Sequence, residues 1–554
     1  MRALAAIATL GIAAMLAPSA SDAQAAATKR PVAAEDLFKL SLISAPAIAA
    51  DGKRVVFVVS RMNGPANRYD TNLWLAGTDG GSPRALTSDG HASQPVWAAN
   101  GSKIAYVDDA GGSAQIYAYD VATASTAQLT SLHGSATAPM SSHDGKRIAF
   151  GLVTVDPQPK SEIDFGAAGF TPQPSQQSSD IHTIDTERYE ANGVGYTYNM
   201  REHLWVMNAD GSAPAALTSD QRWSESPIAW SPDDAKILFN SLRHETPLAY
   251  ENDLYSIPSS GGEVQRVASH KGANYSPAFS PDGKHLYFLS GSVEDLASYP
   301  TLVAAAIDGS APRTVYRKNT HLLGNWVLAD LSMPGAVCGP LAMPDGRSLV
   351  TNMSGPGVTQ LVRIDTATGA VTPLTARGEA AGCTASADGS QIAYTYADFE
   401  HPAEVYVYDM KTHASRALTA LNAEYLAGVQ LSAPHALSVQ DEAGMNVAAW
   451  FMPATGPKAG GRRPTIVAIH GGPQTEAGDT FFHEMQFWCG LGYNVVLVNA
   501  RGSTGYGFAY EEALVGQWGP PMERDVMAVV AAVAKRPDVD PNRFAVTGGS
   551  YGGY

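Results

Sequence analysis

From about residue 40 to residue 425, short apolar runs alternate with polar positions at period two, and turn residues bound each run. The runs RVVFVV, KIAYVD, RIAFGL, KILFNS, HLYFLS, SLVTNM and QIAYTY each follow a turn dipeptide, in order Asp51-Gly52, Asn100-Gly101, Asp144-Gly145, Asp233-Asp234, Asp282-Gly283, Asp345-Gly346 and Asp388-Gly389. Asp-Gly and Asn-Gly supply, at low steric cost, the positive φ that a tight reversal needs. A second apolar element follows each run: NLWLAGTDG, QIYAYDVAT, HLWVMNADG, DLYSIPSSG, TLVAAAIDG, QLVRIDTAT and EVYVYDMKT. Most of these close on Leu-Thr or a similar pair, as at Leu129-Thr130 and Leu418-Thr419. Two hairpin-forming halves per unit make four strands, so seven units in series predict a seven-bladed β-propeller over residues 26–425, with a short amino-terminal segment. The interval from the turn at 144 to the turn at 233 is about twice that of most others, which places an insertion near 154–200 rather than a missing blade. This insertion is rich in Pro, Gln and Ser and then carries Thr186-Glu187-Arg188-Tyr189-Glu190. Loops of that length tend to be functional.

After about residue 430 the pattern changes to continuous apolar runs separated by helical stretches. TIVAI at 465–469, NVVLV at 494–498 and FAVT at 544–547 read as parallel strands buried on both faces. Between the last two, residues 521–535 predict a helix. Its apolar face is Met522, Val526, Val529, Val530 and Val533, with Pro and acidic residues at its start and Lys535-Arg536-Pro537 at its end. The fold class expected is an all-β seven-bladed propeller followed by a partial α/β-hydrolase domain at 430–554, a parallel sheet with helices on both faces.

The last predicted strand runs into Gly548-Gly549-Ser550-Tyr551-Gly552-Gly553-Tyr554. Such a G-x-S-x-G turn between strand and helix exposes a serine hydroxyl on a strained, close-packed bend where the flanking glycines leave no room for Cβ atoms. An earlier strand ends in His470-Gly471-Gly472-Pro473, which by itself is only a tight turn. Together the two motifs make Ser550 a candidate nucleophile, with the amide after it, on Tyr551, and an amide of Gly471 or Gly472 as candidate oxyanion donors.

Composition narrows the reading. A chain of 554 residues exceeds one hydrophobic core, and 45% hydrophobic against 16% charged residues, with 53 Gly and 35 Pro, describes a turn-rich globular protein. The formal charge of -16, with no cluster of Lys and Arg, argues against a nucleic-acid partner. Met1-Arg2, an apolar run to Ala17 and Ala23-Gln24-Ala25 read as a signal peptide over 1–25. Export to the periplasm or beyond is therefore expected, with no membrane span once the signal is removed. Three cysteines, Cys338, Cys383 and Cys489, allow at most one bridge and no zinc site, and Cys489 reads as a buried small hydrophobe.

On AEDLFKL at 34–40, the seven repeat units, NMREHLWVMNADG at 199–211, HGGP, NARGSTGYG at 499–507 and GGSYGGY, the chain resembles the prolyl oligopeptidase family, on the branch that holds acylaminoacyl peptidases and dipeptidyl peptidase five. The resemblance covers essentially the whole chain after the signal. It implies a serine peptidase acting on short oligopeptides, with the propeller covering the active site and no metal or cofactor. It carries the nucleophile onto Ser550 and the oxyanion donors onto Tyr551 and Gly471, with Gly472 as the alternative, and it makes Arg501 a structural ligand of its loop. In α/β-hydrolases the Asp and His of the triad follow the nucleophile. His470, His483 and Asp525 precede it, so the chain is expected to be a fragment, inactive as it stands. The adjacent glutamates by which the dipeptidyl peptidase four branch holds a substrate ammonium are absent, since Glu511-Glu512 lies outside the propeller. Glu187 and Glu190 in the insertion are the weaker candidates for such an anchor. The alternative is an exported, non-catalytic propeller that binds peptides or an envelope partner beside a degenerate hydrolase domain.

Overall fold

The computed structural model describes residues 29–155, 184, 189–191, 194–243, 252–268, 272–291, 299–318, 320–331, 338–456 and 461–554. Among these, strands dominate. Five separate four-stranded antiparallel sheets follow one another, spanning Leu42–Ala85, Ala92–Gln128, Ser135–Ala216, Glu225–Ala268 and Ala273–Tyr316. A nine-stranded sheet then holds two further sets, one around Ser348–Pro373 and one over Glu379–Ala417, bridged by a single parallel pair at Thr359 and Glu379. The last set packs on the first, with Ala393, Val405, Val407 and Leu418 in one core with Ile43, Ile48, Val55 and Phe57. Ile48 N–H also donates to Thr384 Oγ1 at 2.9 Å. The train of sheets is thereby closed on itself by side-chain packing, without strand pairing between its first and last sets.

The turn dipeptides work differently from a simple two-residue reversal. The second residue of every pair is left-handed, at φ 71, 82, 69, 56, 68, 66 and 68° in chain order, but of the first residues only Asn100 is. The Asp side chain instead accepts the N–H two residues on, as in Asp51 from Lys53, Asp144 from Lys146 and Asp388 from Ser390, which stiffens the bend locally. Asp234 stands where the other units have Gly and tolerates φ 56°. Its carboxylate accepts from the N–H groups of His143 and Asp144 at 2.8 and 2.9 Å, tying its turn to the preceding unit. Cys338 and Cys383 form a disulfide.

The final sheet comprises β1 (His435–Gln440), β2 (Asn446–Met452), β3 (Arg463–Ile469), β4 (Asn494–Asn499) and β5 (Val539–Gly548), in the order β1-β2-β4-β3-β5 with β4, β3 and β5 parallel. Alternation along β4 covers both faces. Val496 and Val498 pack with Val529 and Val533 of helix α2 (Pro520–Val533), while Val495 and Leu497 pack with Met485 and Cys489 of helix α1 (His483–Gly490). Cys489 is fully buried, and burial pushes its thiol up to about 12. The expectation that all three parallel strands are buried on both faces is corrected at β5. It pairs with β3 alone and leaves Val546 69% exposed.

The two regions meet in a polar seam. Val327–Leu328 pairs in parallel with Glu476–Ala477. The Asp479 carboxylate accepts from Arg377 and from the N–H groups of Gly378 and Phe399. Asp330 caps α1 from more than 150 residues away, accepting the N–H groups of His483 and Glu484 at 3.0 and 2.7 Å. Helix α1 has no capping side chain of its own, so these two donors depend on Asp330. Asp330→Ala is expected to lower stability by about 1–2 kcal/mol in urea unfolding, with Asp330→Asn retaining part of it. An unchanged midpoint in the alanine variant would count against the cap. Among the described residues no helix is long and apolar enough to cross a membrane.

Candidate active site

Ser550 sits where β5 ends and a 3-10 turn, Ser550–Gly553, begins, and its backbone is left-handed at φ 52°. A non-glycine residue pays about 1–2 kcal/mol for that conformation, and such strain persists where the surroundings impose it. Close packing imposes it here. A Cβ at Gly552 would overlap the Ile469 carbonyl oxygen at the end of β3, and one at Gly548 would overlap the Gly552 carbonyl oxygen. Gly549, by contrast, has open space where its Cβ would be, so the two glycines that flank the motif are the ones packing requires. Ser550 is exposed, and Tyr551 is buried with its ring against Trp518 and Tyr554.

The parallel pairing of β3 with β5 brings the loop His470–Pro473 beside this turn. A Cβ on Gly471 would lie 3.0 Å from Ser550 Cβ and 2.9 Å from the Gly549 carbonyl oxygen. The N–H groups of Gly471 and Gly472 have no acceptor among the described residues, and that of Tyr551 lies in the first turn of its helix, where donors lack intrahelical partners. Ser550, Gly471, Gly472 and Tyr551 are thus brought together.

The polar residues upstream of Ser550 have other partners. His470 is half-buried, its Nδ1 2.8 Å from the Gly471 carbonyl oxygen and its Nε2 2.9 Å from Ser503 Oγ, and desolvation pushes the imidazole below its ordinary pKa. His483 Nε2 lies 3.2 Å from the Ala33 carbonyl oxygen. Asp525, fully buried on the apolar face of α2, receives Arg501 in a two-pronged pair at 2.5 and 3.0 Å. Arg501 also reaches Asp441 at 2.6 Å. Arg501 therefore ties its loop to α2 and to the loop after β1. None of these side chains hydrogen-bonds Ser550.

Glu190 is an exposed residue in a two-residue strand paired with Gly195–Tyr196, and no hydrogen bond or ion pair of the described residues joins it to Ser550 or to the His470–Pro473 loop. Glu187 lies outside the described residues. A cavity of about 290 Å³ at the seam, lined by Ile43, Asn325, Glu379 and Phe481 among others, includes neither Ser550 nor that loop. Among the described residues no group of three or more His, Cys, Asp or Glu side chains is arranged to hold a metal.

Two features that sequence reasoning did not mark lie next to the site. Thr475 Oγ1 donates to the Gly471 carbonyl at 2.6 Å. Glu476 and Glu511, both buried in the seam, each keep one carboxyl oxygen without a partner. Thr475 and Glu476 follow HGGP within three residues, but their orientation depends on the seam and leaves no local signal.

Comparison with known proteins gives a consistent picture. The Prolyl oligopeptidase family profile matches residues 479–554, and that of the Dipeptidyl peptidase IV (DPP IV) N-terminal region matches 175–291. The chain is 29% identical to the uncharacterized peptidase YuxL of Bacillus subtilis over 95% of this chain and 79% of the relative. It is 24% identical to dipeptidyl-peptidase 5 of Porphyromonas gingivalis over 93% of this chain and 74% of the relative. The acylaminoacyl peptidase of Pyrococcus horikoshii superposes with a TM-score of 0.74 at 18% identity, covering 95% of this chain and 76% of that one. The two profiles and these relatives support a prolyl oligopeptidase family serine peptidase.

Proposed function

We propose that this protein is a serine peptidase that cleaves short oligopeptides through an acyl-enzyme on Ser550. Its seven strand sets are the blades of one propeller, and β1–β5 belong to an α/β-hydrolase domain. The left-handed Ser550, held by Gly548 and Gly552 against the end of β3, carries this reading, because a binding surface has no use for a strained, exposed hydroxyl beside unclaimed N–H groups. Similarity to an acylaminoacyl peptidase and a dipeptidyl-peptidase supports peptides as the substrate class.

In this reading Ser550 Oγ attacks the scissile carbonyl, and the amides of Tyr551 and of Gly471 or Gly472 hold the oxyanion. His470, His483 and Asp525 are committed to other partners, so none of them is the base that takes the serine proton or the carboxylate that orients it. Labelling of Ser550 in the full-length protein by a fluorophosphonate tests the reading, together with hydrolysis of acetylated and free dipeptide amides. An unlabelled Ser550 in a folded full-length protein would leave the non-catalytic binding module as the better account. Export belongs to the same proposal, resting on Arg2, the apolar run and Ala23-Gln24-Ala25. Amino-terminal sequencing of the mature protein is expected to begin near Ala26, and an intact Met1 on cytosolic protein would refute it.

A further inference from the structure

Hydrogen bonds fix the peptide between Gly471 and Gly472 from one side only. His470 Nδ1, carrying the proton, donates to the Gly471 carbonyl oxygen at 2.8 Å, and Thr475 Oγ1–H donates to the same oxygen at 2.6 Å. The far side of the imidazole is moored to the loop after β4: with the proton on Nδ1, Nε2 accepts the Ser503 hydroxyl hydrogen at 2.9 Å. Thr475 is itself held at both backbone groups: its N–H donates to the Pro473 carbonyl at 2.8 Å, and its carbonyl accepts the Thr504 N–H at 3.1 Å. In a trans peptide the C=O and the following N–H point in opposite directions. A carbonyl held on one side by half-buried His470 and by Thr475 therefore turns the N–H of Gly472 to the opposite side of the peptide plane. The left-handed φ of 127° at Gly472 and the 2.8 Å that a Cβ there would leave to Thr475 Oγ1 show that only glycine fits the turn so formed.

Resting on the reading of Ser550 as the nucleophile, we propose that His470 and Thr475 are positioning residues that clamp the Gly471 carbonyl and thereby aim the Gly472 amide at the oxyanion. Neither touches substrate. Each acts through one peptide plane, with Ser503 fixing the ring. Because the oxyanion bond is made only in the transition state, loss of the clamp lowers kcat and leaves KM in place.

The test uses the full-length enzyme. Thr475→Val keeps the shape and removes the donor. It is expected to lower kcat about 10- to 100-fold at unchanged KM, less than or equal to the loss of a whole oxyanion donor. Thr475→Ser, which restores the hydroxyl, is expected to recover most of the rate. His470→Asn, whose amide nitrogen replaces Nδ1, is expected to outperform His470→Phe. A peptide trifluoromethyl ketone, whose tetrahedral adduct places an oxyanion in the same hole, is expected to lose affinity for Thr475→Val in step with kcat. Thermal unfolding run alongside identifies any loss due to folding. Full kcat in Thr475→Val, a rise in KM alone, or a loss that Thr475→Ser fails to restore would overturn the clamp and leave Ser550's role intact. Absence of turnover in the wild-type full-length enzyme would overturn both.

Discussion

Ser550→Ala in the full-length enzyme is expected to lower kcat for peptide hydrolysis by roughly 10⁴- to 10⁶-fold, because the oxyanion donors without a nucleophile leave only residual catalysis. Stability should hardly change, since alanine meets the same left-handed strain at this position as serine. Ser550→Gly separates chemistry from conformation. It should be equally inactive, yet more stable by about 1 kcal/mol in urea unfolding, because glycine adopts φ 52° without a Cβ penalty. The two variants together ask whether strain is stored at this residue for use. Equal stability of the alanine and glycine variants would remove the strain argument even if both were inactive.

The strained turn at Ser550 was legible from sequence because its signal is local: a strand pattern, three residues of fixed type within five, and glycines whose necessity follows from short-range packing. The seven turns were legible for the same reason, and the one that departs, Asp233-Asp234, is repaired by a side-chain contact to the neighbouring unit. What escaped was long-range. Asp525 lies among the valines of α2 and reads as a break in an apolar stripe until Arg501, 24 residues earlier, is brought onto it. Asp330 has no helix of its own to cap. The exposure of Val546 on β5 could not be read from its apolar pattern, because pattern records the tendency to be covered and not the presence of a cover. The disulfide shows the same limit: three cysteines permitted one bridge, and only packing selected Cys338 with Cys383.

The acid pair in the seam carries the second large effect. Glu476 Oε2 accepts the Gly357 N–H at 2.7 Å from the region of repeated sheets, Gly505 packs against the carboxyl, and Glu511, Tyr506 and Tyr299 face it from the surrounding elements. Among the described residues no cation pairs with either acid. Burial, first of all, pushes Glu476 from 4.5 up to about 9, with the neighbouring Glu511 adding to it, and burial pushes Glu511 up to about 8. Both therefore fold as neutral acids near pH 7, whereas in the unfolded chain they ionise near 4.5. A carboxyl whose folded pKa is raised gives its full stability below its unfolded pKa and loses it as pH climbs through the folded value. Stability is thus expected to fall continuously from about pH 5 to about pH 9. Each tenfold gain in proton affinity on folding is worth about 1.4 kcal/mol, so the ceiling for Glu476 alone is on the order of 6 kcal/mol. Glu476→Gln keeps an acceptor for Gly357 and cannot ionise, so it should flatten the profile and be the more stable protein at about pH 8.5, while differing little at about pH 5. Urea unfolding of both proteins across that range measures it. Parallel profiles would mean that the acids are solvated or paired in solution, and the seam would then lose its role as the pH-sensitive joint between the two regions.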